Sequence, residues 1–144
     1  MHQILVDSDV ILDLFLDREP HHSVALRFFS HLDANPDSVS GFMSPVAVAN
    51  VAYILTKAHS QAYAVKKMFG LRDVLRVSPM SESNVDAALQ KPQRDFEDTL
   101  QYQCARENGL KTIITRNIQD YPTEGLSVLT PQEFLAMDIV DKST

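Results

Sequence analysis

The chain has 144 residues, 44% apolar and 22% charged, the balance of one globular domain and not of a disordered tail, a collagen repeat or a coiled coil. Its 13 Lys and Arg face 19 Asp and Glu, a net charge of -6, which excludes a protein that coats DNA through general counterion release. A basic rim around an acidic centre is compatible with that balance. The lone Cys104 permits no intramolecular disulfide and suits a reducing cytoplasm. The opening MHQILVDSDVILDLFL carries Asp7, Asp9 and Asp13 and no basic leader, unlike a signal peptide. No other stretch approaches the ~18 uncharged apolar residues of a membrane span, so a cytoplasmic protein without membrane attachment is expected.

In chain order, Gln3 to Val6 reads as a buried strand that ends at Asp7-Ser8-Asp9. Val10, Ile11, Leu14 and Phe15 follow at helical spacing and stop before Pro20. A second helix starts at His21 and ends near Asn35-Pro36. Ser38 to Met43 is the next strand. Ser44-Pro45 then starts a helix through Val51 and Leu55, because Ser can cap and Pro at the first position loses no needed hydrogen bond. A helix over 61–71, a strand at Val74 to Val77 and a helix from Ser81 to before Pro92 come next. Asp95 opens a long helix closed by Asn108-Gly109. Thr112 to Thr115 and Leu126 to Leu129 are short strands, and Thr130-Pro131-Gln132-Glu133 is a capping box for a last helix to about Met137.

Apolar strands alternating with helices predict a three-layer α/β/α domain around a central, mainly parallel sheet of about five short strands. Residues 1–137 form that single domain, and 138–144 read as a polar tail.

Ligands of open parallel sheets bind outside the carboxyl ends of the strands. There the sequence places Asp7 and Asp9, then Asn50 a turn or so into a helix, then Asp95, Glu97 and Asp98, and finally Thr115, Arg116, Asn117 and Asp120. Carboxylates gathered in a small volume repel one another unless a cation lies among them. Hard oxygen ligands suit Mg²⁺ or Mn²⁺, and such a site serves attack of metal-activated water on a phosphodiester. Each acid also has a plainer reading. Asp95, Glu97 and Asp98 fit a helix N-terminus, Asp9 fits a cap, Asp120 fits a turn, and Asp13 and Asp17 fit a solvated helical surface. Cys104 falls at apolar spacing, as a core residue does. The five histidines show no metal-ligand spacing, and no Walker or GxSxG motif is present.

ILVDSDVILDLFL, DFEDTLQYQCARENG, TIITRNIQDY and VLTPQEFL, in this order over almost the whole chain, resemble the PIN-domain ribonucleases. Among these, the chain looks most like the small VapC-like toxins of bacterial toxin–antitoxin pairs. The resemblance implies a divalent-metal-dependent endoribonuclease, inhibited by a cognate antitoxin and assembled as a homodimer. It implies Asp7 and Asp98 as metal ligands, with Asp120 as a nearby carboxylate, and Asn117 at an acidic or amide position. Ser8 and Thr115 would support the site, with Asp9 and Asp95 as further carboxylates. Asn50 departs from the pattern, because the family usually has Glu there; an amide there removes one charge from the site. Asn50 and Asn117 would orient water, and Arg116 would either bind a phosphate of the RNA or stand as an ordinary exposed surface residue. Lys57, Lys66, Lys67, Arg72 and Arg76 could form a basic rim or a solvated helical face. Tyr121 is a candidate for stacking on bases.

Two other readings fit the same residues. Asp7-Ser8-Asp9 after a strand suits a haloacid dehalogenase-type phosphatase, with Asp7 as nucleophile and Asp9 as acid and base; its Lys and later paired-Asp motif have no counterpart here. A PIN-fold module that binds RNA or protein without cutting is the other.

Overall fold

Ile4, Leu5 and Val6 are wholly buried in the computed structural model, which describes the backbone of residues 1–143 and the side chains of residues 1–138. Three consecutive buried residues on a strand require cover on both faces, because successive side chains point opposite ways. Ile4 and Val6 join a core with Phe28, Val51 and Phe134, whereas Leu5 joins a second core with Tyr102, Ile113 and Tyr121. The strands are β1 (His2–Val6), β2 (Val39–Met43), β3 (Leu75–Val77), β4 (Thr112–Ile114) and β5 (Ser127–Leu129). They form one sheet in the order β3-β2-β1-β4-β5, with every pairing parallel. The helices are α1 (Ser8–Phe15), α2 (His21–Ala34), α3 (Pro45–Ala58), α4 (Gln61–Leu71), α5 (Glu82–Gln90), α6 (Phe96–Glu107) and α7 (Pro131–Ser143), with a 3₁₀ turn at Ile118–Asp120. The three-layer α/β/α arrangement expected from the sequence is therefore present.

Topology positions the site. From β1 the chain moves outward to β2 and β3, then returns to lay β4 and β5 on the other side of β1. Beyond the ends of β1 and β4 the connections diverge, which opens a crevice at the switch point of the sheet. Asp7 N–H donates to Ile114 O at 2.9 Å, so the first predicted acid enters that crevice directly from the sheet.

Three sequence readings are corrected. Asp7, not Asp9, caps α1: its Oδ1 accepts from Ser8 N. Asp13 is no surface residue; it is 1% exposed and ion-paired with Arg18 and Arg116. The last helix does not stop at Met137. It continues to Ser143, and Asp138, assigned to a polar tail, is buried and bonded to His31 at 2.5 Å; Thr144 lies outside the described residues. Among the described residues no helix is long and apolar enough to cross a membrane.

Candidate active site

Asp7 is 7% exposed and fully engaged. Oδ1 accepts from Ser8 N at 2.7 Å and from Gln101 Nε2 at 2.8 Å, and Oδ2 accepts from Thr115 Oγ1 at 2.9 Å. Three separate elements thus aim one carboxylate. Gln101 is a buried strut: its Oε1 accepts from Ser44 Oγ at 3.0 Å and its amide also reaches Tyr121 Oη at 3.3 Å.

α6 brings the second set of acids. Exposed Asp95 is its cap, accepting from Asp98 N at 3.3 Å, so the plainer reading holds for that residue. One step on, Glu97 and Asp98 are half-buried and face Asp7. Burial, then the charges of Asp7 and Asp95, push the Asp98 carboxyl up to about 7, against the hydrogen bond it accepts from Tyr121. The same causes raise Glu97. Glu97 Oε1 accepts from Ser8 Oγ and from Asn50 Nδ2, both at 3.3 Å, and Asn50 Nδ2 also reaches Ser8 Oγ at 3.1 Å. Tyr121 is buried with its hydroxyl toward Asp7 and Asp98; burial and those two charges hold its proton far more tightly than usual. A phenol used this way is not free to stack on a base.

The third set follows β4. Asp9 Oδ2 accepts from Thr115 Oγ1 at 3.4 Å, Arg116 N at 3.3 Å and Asn117 Nδ2 at 3.1 Å. Its Oδ1 is buried without a hydrogen-bond partner among the described residues. Burial first, then Asp7, push Asp9 up to about 7, while Arg116 opposes the shift. Asn117 is exposed, and Asp120 stands exposed on the 3₁₀ turn at the mouth, near Arg94, Asp95 and Phe96. Arg116 Nε lies 2.7 Å from Asp13 Oδ2. Elsewhere, Lys57, Lys67 and Arg76 lie over the rings of Tyr53, Tyr63 and Phe42, and Arg72 Nε donates to Leu75 O. Cys104 is buried.

Residues 3–119 match the family model described as PIN domain. The chain belongs to the PIN domain family. This PIN domain is 28% identical over 137 residues to Ribonuclease VapC1 of Aquifex aeolicus (strain VF5), with 92% of each protein covered. Its fold is similar to a chain of a toxin–antitoxin complex from Klebsiella pneumoniae, at 23% identity and a TM-score of 0.64, over 89% of this chain and 97% of that one. It is also similar to VapC20 of Mycobacterium tuberculosis, a sarcin–ricin-loop-cleaving toxin, at 17% identity and a TM-score of 0.61, over 76% and 86% of the two chains.

In this PIN domain the crevice therefore gathers most of the predicted residues. Asp7, Ser8, Asp9, Asn50, Asp98 and Thr115 share one connected region, Asn117 touches it through Asp9, and Asp95 and Asp120 lie at its rim. Gln101 is the participant that the sequence does not point to; Glu97 is placed at this edge by sequence but without a role, and Tyr121 is expected there only as a stacking ring. Positions 97, 98 and 101 share one face of a helix, a usable signal; Tyr121 carries none.

The residues present fit a hard divalent cation. Apart from Arg116, which Asp13 holds, the charged groups in the crevice are carboxylates, with hydroxyl and amide oxygens beside them and no thiol or imidazole there among the described residues. Asp7, Glu97 and Asp98 form no ion pair among the described residues, and the orphaned Asp9 Oδ1 is a further buried acceptor. No three acidic, His or Cys side chains among the described residues already stand at metal-holding spacing, as expected of like charges with nothing between them. The phosphatase reading finds no support, because the groups bonded to Asp7 are Ser8, Gln101, Thr115 and Tyr121, with no lysine among them.

Proposed function

We propose that this PIN domain is a Mg²⁺- or Mn²⁺-dependent endoribonuclease and the toxin of a toxin–antitoxin pair. The observation that carries the reading is that Glu97 and Asp98 each face Asp7 at the switch point, with no ion pair to any of the three among the described residues. The name of the Aquifex relative, a ribonuclease, and the toxin–antitoxin complex among the similar structures support the same activity and a cognate antitoxin. A cytoplasmic location and a homodimer complete the proposal.

Asp7 and Asp98 would hold the cation, with Asp120 available from the mouth. When bound, a divalent ion activates water and neutralises charge on the phosphodiester. The protein's own groups do the positioning. Gln101 and Thr115 fix Asp7 from opposite sides, so its carboxylate does not reorient during turnover. Tyr121 keeps its proton and donates to the carboxylates, limiting their repulsion. Asn50 and Asn117 present neutral amides at the edges of the crevice, suited to orienting water. Arg116, 29% exposed and held at Nε by Asp13, would meet an RNA phosphate.

The test is incubation of a labelled structured RNA with purified protein in Mg²⁺, in Mn²⁺ and in EDTA. Products in either metal and none in EDTA are expected. Tight RNA binding that ignores the metal and yields no products would favour a non-cutting binding module instead.

A further inference from the structure

An acid in the first turn of a helix ordinarily serves that helix, capping its free amides or pointing into water. Glu97 does neither. Asp95 already provides the cap of α6, and the Glu97 side chain instead reaches across to α1 and α3. There Oε1 accepts from Ser8 Oγ and Asn50 Nδ2, each at 3.3 Å. The Asn50 amide is divided between Glu97 and Ser8, the latter at 3.1 Å. Both donors are neutral, so they orient the carboxylate without cancelling its charge. Ser8 is bonded in sequence to Asp7, and Glu97 to Asp98, so this contact sets a third carboxylate against the Asp7–Asp98 pair from the α3 side. A carboxylate with only a structural task gains more from a cationic donor, and the same protein supplies two to its buried Asp13, from Arg18 and Arg116.

We propose that Glu97 is the third carboxylate of the cation site and that Asn50 is the positioning residue that holds it there. The charge that α3 lacks at Asn50 is delivered from α6. This rests on the metal-dependent nuclease reading, and it concerns how the site is charged.

The experiment is calorimetric titration of Mn²⁺ into the full chain, with wild type, Glu97→Gln, Asp98→Asn and the double variant Asn50→Glu/Glu97→Gln. Gln at 97 keeps an oxygen for Ser8 and Asn50, so the fold is retained and the metal-free melting temperature is unchanged or higher. Mn²⁺ affinity is expected to fall about 10- to 100-fold in Glu97→Gln, and the double variant is expected to recover most of the loss. Wild-type affinity in Glu97→Gln, beside lost affinity in Asp98→Asn, overturns the role of Glu97 and leaves the nuclease site standing. A double variant that binds no better than Glu97→Gln overturns the exchange between α3 and α6. Wild-type protein that neither binds Mn²⁺ nor cuts RNA defeats the nuclease reading itself.

Discussion

Asp13 and Asp138 are each 1% exposed, and bases close off both: Arg18 and Arg116 at the first, His31 and His2 at the second. Asp7, Glu97 and Asp98 are also withdrawn from water, yet the charges that face each of them are other acids. The first arrangement tethers elements far apart in sequence, as Asp138 of α7 does with His31 of α2. The second stores repulsion that hydrogen bonds from Gln101, Thr115 and Tyr121 only moderate. Burial alone therefore does not mark a functional acid. What separates the two sets is their neighbours: basic side chains at Asp13 and Asp138, acids at Glu97 and Asp98.

The largest effect that can break this contrast is on catalysis. Asp98→Asn preserves shape and removes charge, so cleavage of a labelled RNA should fall by at least about 100-fold, while the metal-free protein melts at the same temperature or higher. Asp13→Ala should do the reverse. It strips the counter-charge from Arg116 and should lower stability by about 2–3 kcal/mol in urea unfolding, less than a fully buried pair because Arg116 is 29% exposed. If Asp13→Ala leaves the urea midpoint unmoved, the tethering half of the contrast is wrong.

A smaller effect sharpens the other half. The folded-state carboxyl of Asp98 is raised from 3.8 to about 7. Between those values the folded protein holds a proton that the unfolded chain has released, so its stabilising contribution is lost as pH rises through that window. In EDTA the melting temperature should therefore drop from about pH 5 to about pH 8 more steeply in wild type than in Asp98→Asn. Equal slopes would show that Asp98 is not held back from ionising by its burial and its acidic neighbours.

The strand-and-helix order was legible because apolar periodicity and Ser or Asp caps mark it locally, and Asp7 and Asp98 were legible because each stands where such an element begins or ends. The misreadings share a cause. Asp13 falls three residues after Val10, on the buried face of α1, but its partner Arg116 lies over a hundred residues away, and nothing local announces that pair. Asp138 looks like tail for the same reason, since its partners His31 and His2 belong to distant elements. Glu97 resembles any acid of a first helical turn until α3 is packed beside it and Asn50 is seen to turn toward it. Tyr121 looked available for stacking because its burial depends on packing against Leu5 and Tyr102 in the second core.

The most direct test of the claim that the crevice is loaded for a cation is thermal unfolding at about pH 7.5, in EDTA and in saturating Mn²⁺, for wild type and Asp98→Asn. Mn²⁺ should raise the wild-type melting temperature by several degrees, as any ligand of the folded state does, and should leave Asp98→Asn nearly unmoved. An equal rise in both proteins, or none in wild type, would contradict the account.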